Sequence, residues 1–258
     1  EMCIRDSKSK DAAKVQFQNV TFRYDDAEEA VLHNIDFTVE KGKTTAIIGS
    51  TGSGKSTIAS LIMRFFDIES GSILVDGKDV REYNQDVLRD KIGYVPQKAF
   101  LFSGTIADNL RHGKKNATEE EMLEACRIAQ IDDFVRSSEQ GLETRVSQGG
   151  NNFSGGQKQR LSIARAIVKK PEIYIFDDSF SALDFKTDAK LRSALKEEVG
   201  DSAVIIVAQR ISTILDADQI IVLDEGKIVG KGIHKELLAG CTVYQQIAHS
   251  QLSEEELK

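Results

Sequence analysis

Nine residues, Gly49-Ser50-Thr51-Gly52-Ser53-Gly54-Lys55-Ser56-Thr57, constrain this chain more than any other stretch. They match G-x-x-x-x-G-K-[ST], the phosphate-binding P-loop pattern. Its glycines let successive backbone N–H groups turn inward onto phosphate oxygens, Lys55 reaches the β- and γ-phosphates, and the Ser56 hydroxyl ligates Mg²⁺. A helix N-terminus behind the loop adds its dipole. The run Thr44-Thr45-Ala46-Ile47-Ile48 predicts a buried strand before it, and Ile58, Leu61, Ile62 and Phe65 fall at helical spacing after it. With ordinary Gly, Lys and Ser/Thr usage, a chain this long matches by accident on the order of once in a hundred. The fold class follows: an α/β P-loop core.

Composition narrows what else the chain does. Its 258 residues suit one large domain or a core with a subdomain. Acidic residues outnumber basic ones, 41 to 34, for a net charge of −7, the wrong sign for affinity built on neutralising nucleic-acid phosphate. We therefore expect no nucleic-acid partner. Cys3, Cys126 and Cys241 are odd in number and scattered, which suggests neither a disulfide framework nor a zinc site and fits a reducing cytosolic setting. No apolar run approaches the ~20 residues of a membrane-spanning helix. The polar opening, residues 1–14, reads as a linker or remnant, which implies something upstream.

In chain order, Val15 to Tyr24 and Val31 to Val39 carry strand patterning and predict an antiparallel pair. Tyr24 stands at a strand end, where its ring could stack on an adenine, though such a tyrosine is more often a packing residue. The strand Ile92 to Val95 runs into Pro96-Gln97, so the Gln97 amide sits at a sheet edge or loop. There it could join Mg²⁺ or an attacking water; an exposed loop glutamine is the commoner case. Between Phe100 and Arg145 the pattern turns helical, with a Thr-x-x-Glu capping box at Thr118 and Glu121. The insert ends in a second Gly-rich turn, Ser154-Gly155-Gly156-Gln157, which opens a helix and presents N–H groups to an anion. Ile173-Tyr174-Ile175-Phe176-Asp177-Asp178 reads as a buried parallel strand ending in two carboxylates, with Asp177 the Mg²⁺ candidate. A long helix to Val199, a strand Ala203 to Ala208 ending at Gln209, a hairpin across Asp224-Glu225-Gly226 and further helix complete the chain, with residues 251–258 a charged tail.

The order Tyr24, Gly49 to Thr57, Gln97, Ser154 to Gln157, Ile173 to Asp178 and Ser181-Ala182-Leu183-Asp184 resembles the ATP-binding cassette (ABC) nucleotide-binding domain over roughly residues 15–250. Ser-Gly-Gly-Gln downstream of a P-loop is far more specific than the P-loop alone. The segment Tyr94 to Ile106 looks like that of exporters, whose transmembrane domain precedes the cassette in one polypeptide. The resemblance implies a P-loop core with an antiparallel β subdomain and an α-helical signature subdomain over about 100–168. It implies ATP and Mg²⁺ as cofactors. Tyr24 would lie on adenine, and Ser56, Gln97 and Asp177 would serve the metal. Ser154 to Gln157 would contact ATP held by a second cassette, hetero- or homodimeric, with 181–184 crossing that interface. The place of work would be the cytoplasmic face of the cell membrane.

Two positions depart from the family pattern. The residue after Asp177, usually a glutamate acting as general base, is Asp178, and the usual switch histidine is Gln209. Aspartate is shorter by a C–C bond, ~1.5 Å, and loss of a base costs ~10²- to 10⁴-fold. Gln209 hydrogen-bonds but neither titrates nor carries charge. We expect the degenerate-site half of a heterodimeric exporter, with weak turnover at its own site. The alternatives are an ordinary self-pairing exporter cassette, a soluble subunit docking on a separate permease and, further off, a DNA-maintenance ABC ATPase. Against the last, Gln97 and Ser154 are only 57 positions apart, too close for a long coiled-coil insert.

Overall fold

Five parallel strands bring the separate motifs to one edge. The computed structural model describes residues 13–253; Cys3 and the charged residues from Glu254 lie outside them. The main sheet has six strands in the order β12-β11-β3-β10-β9-β6. These are β3 (Thr44–Gly49), β6 (Ile92–Val95), β9 (Ile173–Asp177), β10 (Ala203–Val207), β11 (Gln219–Asp224) and β12 (Lys227–Gly232). All neighbours are parallel except the β11–β12 hairpin. Ligands in such sheets bind beyond the carboxyl ends of the strands. The loops after Gly49, Val95, Asp177 and Val207 therefore converge.

Both faces of this sheet are covered, which is why its strands are almost continuously apolar. Ile173, Ile175, Ile205, Val207 and Ile47 enter one hydrophobic cluster, while Tyr174, Phe176, Val204, Ile206 and Ile48 enter the other. The first cluster is closed by α1 (Lys55–Ile62) and by a second, antiparallel sheet. That sheet is ordered β2-β1-β4-β5, from β1 (Ala13–Phe22), β2 (Leu32–Glu40), β4 (Ser70–Val75) and β5 (Lys78–Asp79).

The other cluster lies beneath the helical segment. Here α3 (Ile106–Arg111), α4 (Glu119–Ile128) and α5 (Asp132–Ser137) precede α6 (Gly155–Val168), with a two-residue pairing of β7 (Gly104–Thr105) and β8 (Arg145–Val146). A short α2 (Gln85–Asp90) leads into β6; α7 (Phe185–Glu198) joins β9 to β10, and α8 (His234–Gly240) and α9 (Thr242–Gln251) end the described chain. Thr118 and Glu121 form the expected capping box.

Two sequence expectations need correction. Ala13 and Lys14, placed with the linker, belong to β1. Lys14 is buried and held by Asp76 and Glu172, which Lys91 also bridges, a ring of ion pairs that local patterning could not show. Phe65, placed on the apolar helix face, lies beyond the helix end and is 46% exposed. Arg64 has entered the left-handed region at φ 50°, which turns Phe65 away from the core and against the Tyr94 ring and the Arg89 guanidinium.

Candidate functional site: a phosphate cradle beside two carboxylates

The nine-residue loop joins β3 to α1 and is shaped by its own glycines. Gly49 packs so closely that a Cβ would stand 2.1 Å from the Leu223 carbonyl oxygen. Gly54 caps α1 at φ 98° with no side-chain acceptor, and a Cβ there would strike Leu32. The first turn of α1 thus keeps N–H groups that no cap consumes. Lys55 is buried and folds back on its loop, donating to the Gly49 and Ser50 carbonyls at 2.9 and 2.6 Å. Burial lowers its pKa, an effect that the nearby Asp178 and Asp177 charges oppose.

Opposite the loop, the Ser56 hydroxyl donates to Asp177 Oδ1 at 2.8 Å, and the Tyr94 hydroxyl to Oδ2 at 3.3 Å. Burial raises the pKa of Asp177 against those two bonds. The next residue turns sharply: Asp178 is at φ 47°, its N–H bonded to the Val207 carbonyl at 2.8 Å. Its carboxylate accepts from Gln97 Nε2 at 2.9 Å, and burial raises its pKa while Arg210 and Lys55 hold it down.

A cavity of about 400 Å³ collects these groups; Tyr24, Gly52, Lys55, Gln97, Asp178 and Gln209 are among its lining residues. Tyr24, two residues past the end of β1, donates to or accepts from Thr57 Oγ1 at 3.0 Å and packs edge-on against Phe22 and Phe66. Gln209 is exposed, and its backbone carbonyl accepts from Gln251. Ser154, Gly155, Gly156 and Gln157 do not line this cavity. They begin α6, where Ser154 and Gln157 cap each other reciprocally, and Ser154 and Gly155 are exposed.

Two groups escaped the sequence reading. Tyr94 alternates on β6 with Val95 and points at Asp177, a signal legible only once β6 is known to neighbour β9. Arg210 donates to the Ser181 carbonyl at 3.0 Å and lies over the Phe185 ring.

The donor set suits a nucleotide and a hard divalent cation. Hydroxyl and carboxylate oxygens, the groups that Ser56 and Asp177 present, are the kind of protein ligand Mg²⁺ takes when phosphates complete its shell. Among the described residues no group of three His, Cys, Asp or Glu could hold a metal alone. The Ser53 hydroxyl is buried in the loop and has no hydrogen-bond partner among the described residues.

Comparison with known proteins places the chain in a family. Residues 32–181 match the family model described as ABC transporter. An uncharacterized ABC transporter ATP-binding protein of Mycobacterium tuberculosis is 55% identical over 240 residues, 92% of this chain and 41% of that protein. The ATP-dependent lipid A-core flippase of Haemophilus ducreyi is 41% identical over 93% of this chain and 41% of its own length. A solved bacterial Atm1-family ABC exporter with ATP bound superposes with a TM-score of 0.90 at 40% identity, covering 94% of this chain and 42% of that one. The chain spans about two-fifths of the length of these relatives. It belongs to the ABC transporter family, as an ATP-binding cassette with the ATPase fold.

Proposed function

We propose that this cassette powers export across a membrane as the degenerate-site half of a paired exporter. The observation that carries the reading is the tether on Asp178. Its carboxylate, one methylene shorter than the family's base, is engaged by Gln97 at 2.9 Å, and the strand end beyond it offers Gln209 where a histidine would stand. A general base must come within ~2.6–3.2 Å of its water. A short, tethered acid meets that condition less readily than a glutamate.

Binding needs neither position. The loop amides, Ser53 and Lys55 would hold the phosphates, and Ser56 with Asp177 would hold Mg²⁺, which when bound neutralises charge between the β- and γ-phosphates. Tyr94 orients Asp177 from behind. Tyr24 would cover the adenine, with its hydroxyl fixed by Thr57. Gln97 and Gln209 would contact the γ-phosphate side. Ser154 to Gln157, outside this cavity, would complete the site of a second cassette.

The upstream partner would be a transmembrane domain, consistent with relatives more than twice as long. Phe100 and Phe102, 51% and 44% exposed shortly after Gln97, supply an apolar face for it. An ordinary self-pairing cassette remains the second reading, supported by the raised pKa of Asp178, a property of working bases.

Steady-state ATPase assays with Mg-ATP decide between them, run beside nucleotide binding on the wild type and on the Asp178→Glu, Gln209→His double variant. Tight binding with turnover at least tenfold lower than that of the double variant supports the degenerate site. Brisk wild-type turnover abolished by Asp178→Ala replaces it with the self-pairing cassette.

A further inference from the structure

A second cavity lies away from the phosphate loop. It has a volume of about 820 Å³ and runs between α4, the end of α6, β9 and the end of α7, sharing no lining residue with the phosphate cradle. Its floor is apolar, with Leu123, Ile128, Ile167, Val168 and Val199. Set into that floor is Tyr174, 4% exposed, whose hydroxyl has no hydrogen-bond partner among the described residues. Burial and then the Glu198 carboxylate push its pKa up to about 12.

The charges around the cleft do not cancel among themselves. Glu121 is bound by Lys114, Glu124 by Arg127, and Arg136 by Asp132. Lys170 faces Glu121 and Glu124. Glu119 and Glu120 answer to the N-terminal dipole of α4. Glu198 is different: it sits at the opposite, C-terminal end of α7, where the dipole disfavours an anion. Among the described residues no ion pair engages it; its charge is felt by Arg127, whose guanidinium is already bound by Glu124.

We propose that this cleft binds an organic cation with an apolar body, its charged nitrogen held between the Glu198 carboxylate and the Tyr174 hydroxyl and ring. The volume lies within the range of small-molecule pockets, ~300–1,000 Å³. An ammonium beside a carboxylate and over an aromatic ring gains from both. The occupant would touch α4 of the helical segment and β9 of the main sheet at once, three residues from Asp177 on the same strand.

The test is titration calorimetry of the whole chain with naphthylmethyl-trimethylammonium, its neutral carbon isostere and naphthylacetate. Each is run with and without saturating Mg-ATP, so that binding here is read independently of turnover. The expected result is saturable binding of the cation only, weakened about tenfold by Glu198→Gln and several-fold by Tyr174→Phe. Leu123→Trp, which fills the cleft from α4, abolishes it with the melting temperature retained. Equal binding of the neutral isostere, binding unchanged in Glu198→Gln and Leu123→Trp, or no saturation at millimolar cation overturns the proposal.

Discussion

The two Gly-rich helix starts of this chain obey the same electrostatics and differ in what their own fold requires of them. At the phosphate loop, Gly49 and Gly54 are demanded from within: a Cβ at either collides with Leu223 or Leu32, and Gly54 holds φ 98°. No side chain caps α1 there, so its N–H groups stay free for an anion. At Ser154-Gly155-Gly156-Gln157 the cap is complete. A Cβ on Gly155 would meet nothing within 4 Å, and one on Gly156 only the Ala182 carbonyl at 3.7 Å. The chain's own packing does not explain those two glycines. Close approach by a ligand or a second chain, as proposed above, would account for them.

The sharpest way to break this contrast is at the loop. Gly49→Ala should misfold the cradle, and Lys55→Ala should lower nucleotide affinity and turnover by ~10²-fold or more, on the scale of losing one preorganised donor. Retained binding in a folded Lys55→Ala variant, measured by calorimetry, would show that the cradle is not where phosphate sits.

Next in size is Asp177→Asn. It should remove Mg²⁺-dependent binding while raising the melting temperature near neutral pH. Burial lifts the Asp177 pKa above its unfolded value, so the folded state holds its proton more tightly, and stability falls as pH rises from the unfolded pKa through the folded one. At pH 7 the ionised, buried carboxylate is therefore a cost that asparagine removes. Thermal melts at pH 4 and pH 7 check this: the gain should be larger at pH 7.

Smaller effects separate the second helix start. Ser154→Ala should cost about 1 kcal/mol of cap energy, a fall of ~2–4 °C in melting temperature for a chain of this size. Gly155→Ala should be neutral or stabilise by ~0.4–1 kcal/mol. Neither should change nucleotide binding by the isolated chain, whereas both should suppress turnover that depends on a second cassette. A loss of binding in the isolated chain would place the two helix starts in one site and end the comparison. Smallest is Tyr24→Phe, which gives up the Thr57 bond and keeps the ring; it should weaken nucleotide binding less than tenfold, and Tyr24→Ala more.

Much of the architecture was legible because its signals are local. The alternation in Val15 to Phe22, the capping residues Thr118 and Ser154, and the apolar run ending at Asp177 each record a backbone requirement met by neighbours a few positions away. Phe65 was misplaced because helical spacing continued past the point where Arg64 leaves the helix. Lys14 was misplaced because its partners Asp76 and Glu172 lie 62 and 158 positions away.

By itself, the sequence determined which chemistry was possible: a phosphate loop, oxygen ligands at Ser56 and Asp177, a shortened acid at Asp178 and an uncharged side chain at Gln209. Those are properties of residue type and short spacing. Only the tertiary structure decided which groups meet. Parallel pairing of β6, β9 and β10 brings Gln97 within hydrogen-bond distance of Asp178, Tyr94 to Asp177 and Arg210 to Ser181. It also left Ser154 outside the cradle and opened the cleft around Tyr174. The reason is that a hydrogen bond or a cavity depends on distance in space, and the sheet sets that distance through a register fixed by the packing of both its faces.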